Sequence, residues 1–154
     1  MVGMGEFKVT NHATKLTCVG LGSCVGLVLH DPGTKTGGLA HIMLPHRSAV
    51  RNQENPSRFA DTSVALMIHE LECLGAERRG LRAKLYGGAD MFSSVVDSRL
   101  GSIGDRNIEA LHEELGKQKI KIAEEDLGGT VGRTIVFDPK DGTVQVRYAR
   151  RPHG

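Results

Sequence analysis

A cysteine framed by glycines is the residue best suited to chemistry in this chain: Gly20-Leu21-Gly22-Ser23-Cys24-Val25-Gly26. Downstream lies one histidine in an apolar run, Gly38-Leu39-Ala40-His41-Ile42-Met43-Leu44-Pro45. A thiol is a useful nucleophile as its thiolate, and a neighbouring imidazole is the common means of producing one near neutral pH. Glycines beside the thiol remove side chains that would block a carbonyl and leave backbone amides free to hold an oxyanion. The residues therefore point to a cysteine hydrolase or acyl-transfer enzyme acting on an amide or ester. The plain alternative is that Cys24 is a small buried hydrophobe, the usual fate of a lone cysteine.

Other chemistries fit less well. Gly20 and Gly22 resemble half of a dinucleotide fingerprint, but Val25 stands where a third glycine belongs, and a β-branched run follows where a helix would carry a pyrophosphate. Cys18, Cys24, His41 and His46 lack the spacing of a zinc site. The Asp-Pro and Asp-Gly pairs at 31–32, 138–139 and 141–142 are turn residues rather than paired catalytic carboxylates. Cys73 and the remaining histidines (His12, His30, His46, His69, His112 and His153) read as structural or solvent-facing.

The elements that must position Cys24 and His41 follow from periodicity. Residues 6–10 and 15–19 are predicted strands with Asn11-His12-Ala13 as the turn between them. Residues 25–30 and 39–44 form an antiparallel pair around the turn Asp31-Pro32-Gly33-Thr34. Period-two alternation places Leu39, His41 and Met43 on one face of the second strand and Ala40 and Ile42 on the other. Pro45 ends this strand, and 46–56 is a polar loop. Ser57 is the expected cap of a helix reaching about Leu74, with Ala60, Val64, Met67, Ile68 and Leu71 along one face and Gly75 as its stop. A strand at 81–86 follows. Asp105 is the expected cap of a second helix, with Ile108, Leu111 and Leu115 inward and Gly116 at its end. Ile120 and Ile122 mark a short strand, and 134–137 with 143–148 form a hairpin around 138–142. Strands, helix, strand, helix, strands, with hairpins at both ends, give an α+β fold: one layered domain over residues 1–154 with a mixed or antiparallel sheet and two main helices.

Composition bounds the function. With 39% hydrophobic and 25% charged residues the chain is an ordinary globular protein, and a net charge of +2 argues for neither nucleic acid nor an anionic membrane surface. Three cysteines without framework spacing favour a reducing compartment. No signal peptide and no membrane span is expected, so the predicted location is the cytoplasm.

Five ordered blocks carry a family resemblance: Gly-Leu-Gly-Ser-Cys-Val at 20–25, Gly-Leu-Ala-His-Ile-Met-Leu-Pro at 38–45, Tyr-Gly-Gly-Ala-Asp-Met-Phe at 86–92, Ile-Gly-Asp-Arg-Asn at 103–107 and Asp-Leu-Gly-Gly-Thr-Val-Gly-Arg at 126–133. Together they resemble the CheD family, the chemoreceptor glutamine deamidases of bacterial chemotaxis, from about Gly5 to about Arg147. The resemblance implies a layered α/β fold shared with other cysteine-based deamidases. It also implies Cys24 as nucleophile, His41 as general base, and no metal or organic cofactor. The implied substrates are glutamines on the cytoplasmic helices of methyl-accepting chemoreceptors, with a CheC-type phosphatase as a further partner. One position departs from the family: Cys18 stands where relatives commonly carry the threonine that orients the imidazole. Either the Cys18 backbone carbonyl holds the ring, or a bulge lets Thr17 reach it. The competing reading is a regulatory binding module for the phosphatase with weak or no catalysis. Residues 46–56 and 128–133 are the candidate partner contacts.

Overall fold

The computed structural model describes residues 1–45, 59–90 and 102–149. The expected loop at 46–56, the Ser57 cap, Met91, Phe92, Arg150 and Arg151 lie outside these. Among the described residues, eight strands and two α-helices run in the order β1 (Phe7–Thr10), β2 (Leu16–Leu21), β3 (Val25–Asp31), β4 (Thr36–Ile42), α1 (Ala60–Cys73), β5 (Arg82–Gly87), α2 (Ile103–Lys117), β6 (Lys121–Leu127), β7 (Arg133–Phe137) and β8 (Val144–Tyr148). They build an α+β fold with two sheets, one of five strands ordered β1-β4-β3-β5-β6 and one of three ordered β2-β7-β8.

All seven residues of β3 are buried, as are all seven of β4. A strand hidden on both faces reads as a continuous apolar run, and both its faces must therefore be covered. On one face Val25, Leu27, Leu29, Ala40, Ile42, Ala83 and Leu85 meet the apolar stripes of α1 and α2. On the other, Val28, Leu39 and Tyr86 meet Leu16, Cys18, Leu21, Ile135 and Phe137 of the three-stranded sheet. The protein is thus three layers deep, with helices, the larger sheet and the smaller sheet stacked in that order. The five-stranded sheet is mixed: β5 and β6 run parallel, and the other pairs are antiparallel. A parallel pair needs a crossover, and α2 supplies it.

Several local expectations are corrected. Strands β1 and β2 do not form a hairpin, since β1 pairs with β4 and β2 crosses to β7 in the other sheet. The N-cap of α2 is Ser102, whose hydroxyl accepts from the Asp105 amide, so Asp105 lies in the first turn. Gly116 is inside α2, and the chain leaves the helix through Lys119 at φ 59°. Helix α1 starts at Ala60 behind Phe59, whose side chain makes no cap. The strand expected at 39–44 starts earlier and stops at Ile42, leaving Leu44 in a lone bridge to Phe59.

Candidate active site

Cys24 stands one residue before β3, at the end of the sheet where β3 begins and β4 and β5 finish. The ladder pairs Val25 with Ile42 and Gly26 with His41. Cys24 and His41 are therefore diagonal neighbours across this ladder, and such residues lie ~7–8 Å apart on one face, within reach of long side chains. Alternation puts the Cys24 side chain on the face of Gly26 and Val28, and it packs against the cluster between the sheets. His41 shares that face, beside Leu39, as the period-two pattern predicts.

The two side chains differ in access. His41 is 2% exposed, whereas Cys24 is half-buried. Burial pushes the Cys24 thiol above its ordinary value. Burial also holds the His41 imidazole below its ordinary value, partly offset by the Val2 main chain beside the ring. Both shifts favour the uncharged thiol and imidazole over the ion pair, since a low-dielectric site penalises each charged form. The His41 Nδ1 atom is buried without a hydrogen-bond partner among the described residues.

Cys18 is fully buried, facing inward from β2 opposite Ile135. Its thiol is pushed up to about 12, by burial first and then by the charge on Cys24. Thr17, opposite Val136, alternates to the other face of β2. The irregularity in β2 falls between Cys18 and Leu21, after Thr17, and so does not turn Thr17 inward. The main-chain group beside the imidazole belongs to Val2, whose N–H is held by the Thr17 carbonyl at 2.7 Å. The His41 amide itself donates to Glu6 O at 2.9 Å, and the Gly5 amide donates to His41 O at 3.1 Å, so the N-terminal segment brackets His41.

The remaining sequence blocks converge on the same end of the sheet. The Gly88 and Ala89 amides donate to Cys24 O at 2.9 Å and Gly22 O at 2.8 Å. Gly87 has φ 111°, and a Cβ there would stand 2.4 Å from Cys24 O, which accounts for glycine at this position. The Gly128 amide donates to Gly87 O, and the Asp90 amide to Gly129 O, both at 2.9 Å. Asn107 reaches from α2 to donate to Ser23 O at 3.0 Å and Met43 O at 3.1 Å. Sequence reasoning assigned nothing to Val2 or to Asn107. The signal for Asn107 was a polar residue in register with the inward face of an amphipathic helix. Val2 offered no signal, because its contribution is main-chain.

Arg133 corrects the idea that all of 128–133 is a contact surface. It is 4% exposed and donates to Asp126 Oδ1 at 2.9 Å and Asp126 O at 2.6 Å, with the Tyr148 ring 5.4 Å from its guanidinium. It is a buried staple, and the exposed part of the segment is Gly129 and Thr130. A groove of about 280 Å³ opens beside the thiol loop, bounded by Gly20, Gly22, Gly132, Thr134 and Tyr148. A larger hollow of about 720 Å³ lies at the opposite end of β5, among Glu72, Glu77, Arg78 and Lys117, away from Cys24. Among the described residues no group of three His, Cys, Asp or Glu side chains is arranged to hold a metal ion, and no helix is long and apolar enough to cross a membrane.

The arrangement defines a class: an α+β protein with a glycine-framed thiol and an imidazole on one face of its central sheet. Residues 43–148 match the family described as CheD chemotactic sensory transduction. A protein of Caldanaerobacter subterraneus, named "probable chemoreceptor glutamine deamidase CheD", is 47% identical over 146 residues, covering 95% of this chain and 90% of the relative. Proteins of the same name from Desulforamulus reducens and Clostridium botulinum are 45% identical over 151 residues and 42% identical over 146, covering 98% and 95% of this chain and 91% and 90% of theirs. The chain belongs to the CheD family.

Proposed function

We propose that this protein is a cysteine-dependent protein-glutamine amidohydrolase that converts glutamines on the cytoplasmic helices of chemoreceptors to glutamate, and that it acts in the cytoplasm. The single observation carrying this reading is the shared face of Cys24 and His41 across the β3–β4 ladder in a chain of the CheD family. His41 takes the thiol proton as the sulfur attacks the side-chain carboxamide carbon. The carbonyl oxygen becomes an oxyanion held by backbone amides around Ser23 and Cys24. As the C–N bond breaks, His41 returns the proton and ammonia leaves, giving a thioester. Water, deprotonated by His41, attacks that thioester, and glutamate leaves with the thiol restored. No step calls on a metal or organic cofactor. The whole of 1–154 is taken as one such domain.

The test is conversion of glutamine to glutamate in a receptor cytoplasmic fragment, read by peptide mass. Wild-type protein is expected to convert specific sites, while Cys24→Ala and His41→Ala lose conversion. Undiminished conversion by Cys24→Ala sinks the assignment.

The second reading is a binding module for a CheC-type phosphatase; it follows from the resemblance, under which Cys18, a fully buried thiol, stands in place of a threonine hydroxyl. Adding the phosphatase to the same assay separates the two. A module without catalysis converts no glutamine under either condition.

A further inference from the structure

We infer that Asn107 is a positioning residue that fixes the Ser23–Cys24 peptide and so aims the Cys24 N–H as the oxyanion donor; this rests on the cysteine mechanism proposed above. The β3–β4 ladder ends at Val25 and Ile42. The carbonyls of Ser23, two residues before Val25, and Met43, one after Ile42, lie past this last ladder pair. The Asn107 carboxamide spans both, spending its two donors at 3.0 and 3.1 Å. Two carbonyl acceptors fix the amide orientation, because a flipped oxygen would face them both.

The Ser23 carbonyl and the Cys24 N–H belong to one planar trans peptide, so they point in opposite directions. Holding the carbonyl toward α2 turns the Cys24 N–H away from α2. A hydrogen bond accepted by the carbonyl also polarises the peptide and strengthens its N–H as a donor. Helix α2 is itself placed tightly, since a Cβ on Gly104 would stand 2.5 Å from Gly88 O. Packing alone does not call for asparagine here. The other buried positions of α2 after its first turn are Ala110, Leu111 and Leu115, and Asn107 is fully buried with its Oδ1 lacking a partner among the described residues. Such burial is unfavourable unless the two donated bonds are needed.

The experiment uses the full chain with a receptor cytoplasmic fragment, comparing wild type, Asn107→Ala and Asn107→Asp. Misaiming one oxyanion donor is expected to lower kcat by roughly 30-fold or more with KM within about threefold. Cys24 alkylation by iodoacetamide builds no oxyanion, so its rate is expected to stay within about threefold of wild type. Variants whose kcat at equal folded concentration matches wild type overturn the inference, as does an alkylation rate that falls in step with kcat. If the Asn107 variants do not fold, scalar couplings across hydrogen bonds in 13C,15N-labelled wild type decide instead. Couplings from Asn107 Nδ2 to the Ser23 and Met43 carbonyl carbons support the inference, and their absence overturns it. The two readings fail separately. Deamidation that survives Cys24→Ala removes the cysteine mechanism, whereas dependence on Cys24 with indifference to Asn107 removes this inference alone.

Discussion

Cys18 and Cys24 face the same core between the sheets but differ in access. Cys18 is fully enclosed and its thiol is pushed up to about 12, so it stays protonated at neutral pH. Cys24 is half-buried with His41 as its cross-strand neighbour. Burial shifts Cys24 upward and His41 downward, and both shifts favour the uncharged pair. This gives a pH prediction with a definite sign. His41 acts as base when neutral, and its value lies below 6.5, so kcat/KM should fall only on acidification below pH 6.5. The thiol titrates above 9.0, so no further limb should appear between pH 6.5 and 9.0. A resting thiolate–imidazolium pair would instead lose its imidazolium proton within that window. Kinetics on a receptor fragment across the range distinguish the two.

Cys18→Thr introduces the residue type that the family resemblance implies at this position. The group beside the imidazole is the Val2 main chain, so turnover is expected to change by less than about threefold. If a hydroxyl at 18 were needed to orient the ring, the gain would be about tenfold or more, from a hydrogen bond worth roughly 1.5–3 kcal/mol. Turnover at equal folded concentration decides.

At the scale of elements, the site depends on backbones packed too closely for side chains. Two glycines beside Cys24 predict different costs. A Cβ on Gly26 would meet the side-chain tips of Ile135 and Leu21 at 2.7 and 3.0 Å, which can turn aside. A Cβ on Gly87 would meet the Cys24 carbonyl at 2.4 Å from a φ of 111°. Gly26→Ala should therefore cost about 1 kcal/mol, and Gly87→Ala about 2–5 kcal/mol from clash and backbone strain together. Urea unfolding measures both, and equal costs would contradict this account. The strands 25–30 and 39–44 were legible in sequence because each carries its own pattern, and the alternation around His41 gave its face correctly. The pairing of β1 and β2 was not legible. Short strands joined by a turn suggest a hairpin, but the choice of partner depends on which distant edge is available. The cap of α2 was missed because Asp105 and Ser102 are both good capping residues and only the backbone conformation separates them.

Across the whole molecule, blocks far apart in sequence meet at one end of the central sheet: the thiol loop, the end of β4, the turn after β5, the first turns of α2 and the segment before β7. The sequence displayed these blocks, and the resemblance implied a nucleophile and a base among them. It did not reveal that Gly88, Ala89 and Asn107 work through backbone carbonyls of the thiol loop, since such contacts carry no residue-type signature at the receiving end. The layered build leaves the thiol at the rim of the inter-sheet core, and an open groove runs beside Gly20 and Gly22 of its loop.

The central claim is that a receptor glutamine becomes a thioester on Cys24. Acid quenching of the protein during turnover of a receptor fragment, followed by mass mapping, tests it most directly. The account predicts an adduct equal to the substrate less ammonia on the peptide containing Cys24, and neither adduct nor ammonia release with Cys24→Ala. An adduct on Cys18 or Cys73, or ammonia released by Cys24→Ala at the wild-type rate, would contradict it.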